Sequence, residues 1–266
     1  MPQKQNYRNF ASRIAGYVSN VKRPRFFVKF LIALFRLFYR IKLDEYIVSE
    51  GGFVSFNDFF TRKIKTQCRP LSDAKIIFPV DGKIVDYGII DNEKKIFVKH
   101  KFYYLEDLIS DSHHLNYKSY IILYLSPRNY HRVHSPFKCK IKNVSYFPGT
   151  LFSVRNKTIM KRDSVFCRNE RIVINGVSEN GNFCLVMVGA IIVGKIKLSF
   201  DDEIQTNIKK GSHVQKNYNS EIVIDKGEEL GLFELGSTVI LLMEDDSLNK
   251  VVKSKNSEIK MGEAII

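Results

Sequence analysis

Two textures of hydrophobic spacing divide the chain. Residues 25–43 read RFFVKFLIALFRLFYRIKL, with the cations Arg25, Lys29, Arg36 and Arg40 recurring at intervals of 4, 7 and 4 positions. Those intervals stack the four charges in one stripe along an α-helix. Phe26, Phe27, Phe30, Leu31, Leu34, Phe35, Leu37, Phe38 and Ile41 flank the stripe, an apolar face wider than a helix needs to pack on one core. The longest uncharged run, residues 30–35, is too short to span a bilayer. After Gly51-Gly52, Ser55 stands as an N-cap ahead of Phe56, Asp58, Phe59 and Phe60, which predicts a short second helix over 55–64.

From about residue 75 the spacing changes to short β-branched and aromatic runs broken by Gly, Pro, Asn and Asp. Strands are expected at 83–90, 120–125, 141–146, 171–174, 183–188, 191–198, 221–224 and 237–243. No helical pattern regularly separates them, which favours antiparallel pairing over a parallel α/β sheet. The expected fold is mainly β, of the α+β class: an antiparallel β-sandwich or barrel-like core preceded by N-terminal amphipathic helices. The expected organisation is a basic N-terminal region at 1–48 and a β-rich domain at 49–266, with no internal repeat.

Charge sharpens the reading of the first helix. The 266-residue chain carries a net charge of +14, and residues 1–42 hold ten Lys or Arg and no Asp or Glu. A narrow cationic stripe between aromatic flanks suits the headgroup boundary of an anionic membrane. The competing reading is a helix packed on the protein's own core with its cations in water. Nucleic acid is not expected as a partner, because the aromatics sit in an aliphatic face and not among the charges. Cys68, Cys139, Cys167 and Cys184 are far apart with no framework spacing, which fits a reduced compartment. No basic, apolar and small-residue succession marks a secretory signal.

Three segments carry chemistry: Pro79-Val80-Asp81-Gly82, Tyr130-His131-Arg132-Val133-His134 and Leu235-Gly236-Ser237-Thr238. Together they offer a carboxylate, an imidazole and a hydroxyl, the set that makes a weak nucleophile reactive. Each also has a plainer reading as a turn or strand end. His131 and His134 would suit a helical metal pair, but Arg132 and Ser135-Pro136 argue for a bent loop at a strand end. His100, His113, His114 and His213 are scattered, so no metal site is expected. Arg128, Arg132 and Lys138 around the histidines fit an anionic substrate or a solvated loop equally well.

Taken in order, FNDFFTRKIK and the following RP at 69–70, PVDGKI at 79–84, YHRVHSP at 130–136, FPGTLFSV at 147–154, RNERIV at 168–173, VGAIIVGKI at 188–196 and KGEELGLFELGSTVILL at 226–242 resemble the bacterial phosphatidylserine decarboxylase family. The series covers about residues 50–245. A serine before the proline of YHRVHSP stands where a more apolar residue is usual in relatives.

The resemblance implies a proenzyme that cuts itself between Gly236 and Ser237, with Ser237 as nucleophile and His134 and Asp81 completing its charge relay. It implies a β chain, 1–236, and an α chain, 237–266, that remain associated. It further implies that Ser237 becomes a covalent pyruvoyl cofactor, forms a Schiff base with phosphatidylserine and releases carbon dioxide to leave phosphatidylethanolamine, with His131 acting in decarboxylation. The implied location is peripheral, on the cytoplasmic face of the cell membrane. A Ser-His-Asp lipid hydrolase would use the same residue types, but the G-x-S-x-G elbow is absent. A non-enzymatic basic scaffold and an uncleaved family member also fit parts of the pattern.

Overall fold

The computed structural model describes residues 16–110, 116–190, 195–204, 206–207, 212–234 and 237–266. His113, His114, Leu235, Gly236 and the first half of the expected strand at 191–198 lie outside the described residues.

The strands in chain order are β1 (Gly82–Ile89), β2 (Lys95–Val98), β3 (Lys101–Tyr104), β4 (Ser119–Leu125), β5 (Arg132–His134), β6 (Cys139–Phe147), β7 (Arg171–Ser178), β8 (Gly181–Gly189), β9 (Lys195–Leu198), β10 (Val214–Ile224), β11 (Glu229–Glu234), β12 (Ser237–Met243) and β13 (Glu258–Ile259). An eight-stranded sheet runs β10-β6-β7-β8-β12-β4-β1-β13, a three-stranded sheet runs β5-β11-β9, and β2 and β3 form a hairpin. The named pairings are antiparallel, as the strand texture without regular helices requires.

β12 sits between β4 and β8 near the middle of the large sheet, and its seven residues are all buried. Val239, Leu241 and Met243 enter the core shared with the three-stranded sheet, joined by Val133, Ile196, Leu198, Leu230 and Phe233. Ile240 and Leu242 enter a second core on the opposite face. There the hairpin and the helices α3 (Leu105–Ile109), α4 (Asn156–Lys161) and α5 (Val165–Arg168) cover the sheet. Burial on both faces explains why STVILLM reads as a continuous apolar run.

The predicted amphipathic helix is α1 (Arg25–Tyr39), ended by Arg40 in the left-handed conformation. The short second helix is α2 (Phe56–Phe60), with the Ser55 hydroxyl accepting from the Asp58 amide at 3.0 Å as the N-cap pattern predicts. One face of α1 packs on the protein and the opposite face is bare. Val28 and Ile32 pack with Ile41 and Phe59, whereas Phe26, Leu37 and Phe38 are 75%, 78% and 77% exposed. Among the described residues, no helix is long and apolar enough to cross a membrane.

Candidate active site

Gly82 opens β1 and lies so close to β4 that a Cβ there would meet the Tyr124 carbonyl oxygen at 2.5 Å. Only glycine lets the chain approach this closely, and Asp81 is thereby held at the end of the sheet. Lys83 pairs with Tyr124, and Ser237 pairs with Leu125 from the other side. Gly82 and Ser237 therefore flank the end of β4, two strand spacings or roughly 10 Å apart. The amide of His134 donates to the Pro79 carbonyl at 2.9 Å, which brings β5 beside the same Asp81 segment.

Asp81 is buried and fully engaged. Arg69 Nε donates to Oδ1 at 3.0 Å and Nη2 to Oδ2 at 2.6 Å, and the amide of Met261 donates to Oδ1 at 2.8 Å. His134 is buried and equally engaged. Its Nδ1–H donates to the Gly227 carbonyl at 2.8 Å, and its Nε2 accepts from the Tyr130 hydroxyl at 3.0 Å. Gly227 presents that carbonyl from a φ of +81°, with the Leu71 side chain filling the space of a would-be Cβ at 2.4 Å. Burial pushes the His134 pKa down against the opposing pull of the Gly227 carbonyl, so the ring is held neutral with its lone pair on Nε2. Among the described residues, no hydrogen bond joins Asp81 to His134 or His134 to Ser237.

Ser237 has no exposure to solvent, and its Oγ finds no hydrogen-bond partner among the described residues. The next residue, Thr238, is orphaned in the same way. Ser237's other neighbour across the sheet is Gly189, whose carbonyl accepts from Asn169 Nδ2 at 2.8 Å. Asn169 also donates to the Phe152 carbonyl at 2.8 Å and accepts from its amide at 2.9 Å. This one side chain thus ties the segments FPGTLFSV, RNERIV and VGA to the strand position beside Ser237.

His131 is fully buried, with Nδ1–H donating to the Asn129 carbonyl at 2.9 Å and Nε2 unpartnered among the described residues. Its ring lies against Phe60, centroids 4.2 Å apart. Burial pushes its pKa down to about 3, outweighing the pull of the Asn129 carbonyl. The His131 carbonyl accepts from the Phe233 amide, so His131 stands beside the strand that leads into Leu235-Gly236. His131 and His134 bond to separate carbonyls and do not form a metal pair. Among the described residues there is no group of three metal-ligating side chains.

Of the cations around the histidines, Arg132 is occupied by both Glu229 oxygens and the Thr61 carbonyl, and Lys138 pairs with Asp225 on the surface. The residue-type search for nucleophile, base and acid passes over Tyr130, Arg69, Gly227 and Asn169, although all four lie inside the motif series. The Met261 amide could not be foreseen, because a backbone donor leaves no side-chain signal.

The family model for phosphatidylserine decarboxylase matches residues 56–266. A phosphatidylserine decarboxylase proenzyme of Legionella pneumophila (strain Lens) is 36% identical over 247 residues, covering 91% of this chain and 87% of the relative. Proteins of the same name from Nitrosospira multiformis and Helicobacter pylori (strain J99) are 36% and 33% identical, covering 88% and 97% of this chain and 84% and 96% of their own lengths. With a family model spanning all three chemical segments and relatives matching nearly end to end, the chain belongs to the phosphatidylserine decarboxylase family.

Proposed function

We propose that the protein is a phosphatidylserine decarboxylase made as a proenzyme, which cleaves its own backbone between Gly236 and Ser237 and works with a pyruvoyl group derived from Ser237. The observation that carries this reading is Ser237 itself: a buried hydroxyl, unpartnered among the described residues, at the first position of a central strand. Leaving such a group unsatisfied costs about 1–3 kcal/mol. A hydroxyl that exists to be consumed accounts for that cost. The residues fit the group, since converting Ser237 removes the orphan donor from a site shaped for a small residue.

His134 serves as the base: Ser237 Oγ attacks the Gly236 carbonyl carbon, its proton passes to Nε2, and the peptide nitrogen leaves protonated, so an ester replaces the amide. Loss of the Ser237 α-proton with cleavage of the Cβ–O bond frees the Gly236 carboxylate. Hydrolysis of the resulting enamine releases ammonia and leaves the pyruvoyl cap. For His134 to act, Tyr130 must yield Nε2, and Asp81 acts at a distance through its charge. The cut chains stay together, because β12 is hydrogen-bonded on both sides and the Glu263 carbonyl and Ile265 amide pair with Phe78 and Ile76.

The pyruvoyl group supplies a ketone that takes up the substrate amine and the electrons freed with carbon dioxide. His131, with its open Nε2, is the group assigned to proton transfer at the carbon that loses carbon dioxide. The bare aromatic face of α1 and its cations support a peripheral position on the cytoplasmic face of the cell membrane. A hydrolase reading has less support, since Ser237 is buried within a strand and no elbow presents it.

The test is the intact mass of the protein under denaturing conditions, wild type against Ser237→Ala. Two wild-type fragments, the smaller blocked by pyruvoyl, with one uncut variant chain and carbon dioxide release from phosphatidylserine, are expected. A single unmodified wild-type chain overturns the proposal.

A further inference from the structure

A cavity of about 470 Å³ opens where α1 ends, lined by Arg40, Lys42, Tyr46, Asp81, Arg128 and Asn129 together with Ile41, Asp44 and Glu45. Its walls include one chemical segment and neighbour the other two. Asp81 belongs to the first. Tyr46 faces Tyr130, centroids 6.5 Å apart, and Tyr130 stacks on His134. Arg128 and Asn129 form the turn after β4, closed by the Asn129 amide on the Ser126 carbonyl at 2.9 Å, just beyond Leu125, the partner of Ser237.

The charges of this cavity are unevenly satisfied. Asp81 is taken by Arg69, and Glu45 by Arg69 and Lys260. Arg40 and Lys42 have no ion-pair partner among the described residues. Arg128 pairs with Glu258, but both side chains are more than half exposed, and such pairs exchange readily for a better anion. Asp44 is the remaining acid. The cavity therefore offers a surplus of cations beside the candidate catalytic groups. The exposed apolar face of α1, Phe26, Phe30, Leu34, Leu37 and Phe38, leads to its mouth.

We propose that this cavity binds the anionic part of the substrate headgroup, its phosphodiester and carboxylate, with Arg40, Lys42 and Arg128 as the specificity-determining cations. The assignment rests on the decarboxylase reading. The acyl chains then lie along α1 in the membrane, and the amine reaches toward residue 237.

The experiment compares wild type with Arg40→Gln/Lys42→Gln, after both have self-cleaved, in neutral detergent micelles containing phosphatidylserine. The expected result is a KM raised about tenfold or more with kcat little changed. Lys29→Gln/Arg36→Gln removes the same charge from α1 outside the cavity, and its KM is expected to rise far less. Competitive inhibition by water-soluble glycerophosphoserine and by inorganic phosphate is measured beside this, to separate a headgroup site from general attraction to a charged surface. Glycerophosphoserine is expected to inhibit wild type more strongly than phosphate does, and to weaken about tenfold on the double variant. Equal KM effects of the two double variants, or equal inhibition of wild type and the Arg40/Lys42 variant, overturn the assignment. Absence of any decarboxylation by wild type would instead defeat the underlying function.

Discussion

Tyr130 donates its hydroxyl to His134 Nε2 at 3.0 Å while its ring stacks on the same imidazole, centroids 5.6 Å apart. A donor on Nε2 stabilises the neutral ring, adding to the burial that already lowers the His134 pKa. Tyr130→Phe keeps the stack and removes the donor. A hydrogen bond worth about 0.5–1.5 kcal/mol corresponds to a pKa rise of roughly half a unit to one unit. The acid limb of the self-cleavage rate is therefore expected to move to higher pH by that amount. Time courses of fragment formation between pH 5 and 8 measure it, and superimposable limbs would remove Tyr130 from the site.

Ser237→Ala is expected to abolish the proposed cleavage, and its effect on stability is separately informative. Because Ser237 Oγ is buried without a partner among the described residues, deleting it removes a desolvated donor and leaves room only for a methyl group. The melting temperature of Ser237→Ala is expected to equal or exceed that of a second uncut form, His134→Gln. A melting temperature several degrees lower would mean that the hydroxyl serves the fold.

The Arg69–Asp81 pair is buried on both sides, with side-chain exposures of 3% and 7%. Breaking one half of such a pair costs about 3–5 kcal/mol, because the other charge is left without its counterpart. In the uncut Ser237→Ala background, Arg69→Met is expected to lose about 3 kcal/mol or more in denaturant unfolding. Adding Asp81→Asn is expected to cost much less than its effect alone, since the two residues act as a unit. Strict additivity would show that they are energetically independent.

Much of the large sheet is legible along the chain, and the reason is two-sided burial. The runs at 120–125, 183–188 and 237–243 coincide with β4, β8 and β12 to within a few positions, because both faces demand apolar side chains. β5, β11 and β13 escape a reading by hydrophobic pattern. Arg132 in β5 pairs with Glu229 in β11, His134 bonds the Gly227 carbonyl and Glu234 pairs with Lys197 of β9, so tertiary partners override the texture. β10 begins at Val214, well ahead of the expected 221, since a mostly exposed edge needs no apolar pattern. In the site, residue types pointed to Asp81, His131, His134 and Ser237. What each bonds to depends on chain segments far apart in sequence, such as Arg69, Gly227 and Met261, whose meeting no local spacing encodes.

His131 ties stability to pH. Its folded pKa is about 3 against an ordinary 6.5, because burial disfavours the charged ring. Above pH 6.5 both folded and unfolded chains hold it neutral, and its contribution is intact. Between pH 6.5 and about 3 the unfolded chain binds a proton that the folded chain refuses, so stability falls as pH falls, at up to about 1.4 kcal/mol per pH unit. His134, also lowered by burial, acts in the same direction. The measurement is urea unfolding of uncut Ser237→Ala with and without His131→Gln at pH 7, 6 and 5. Acidic side chains common to both proteins cancel in the difference, so the gap between the two stabilities is expected to narrow below pH 6.5 by about 1 kcal/mol per unit. If the two curves run parallel from pH 7 to 5, the buried imidazole is taking up its proton in the folded chain. The neutral Nε2 acceptor assigned to decarboxylation would then be lost with it.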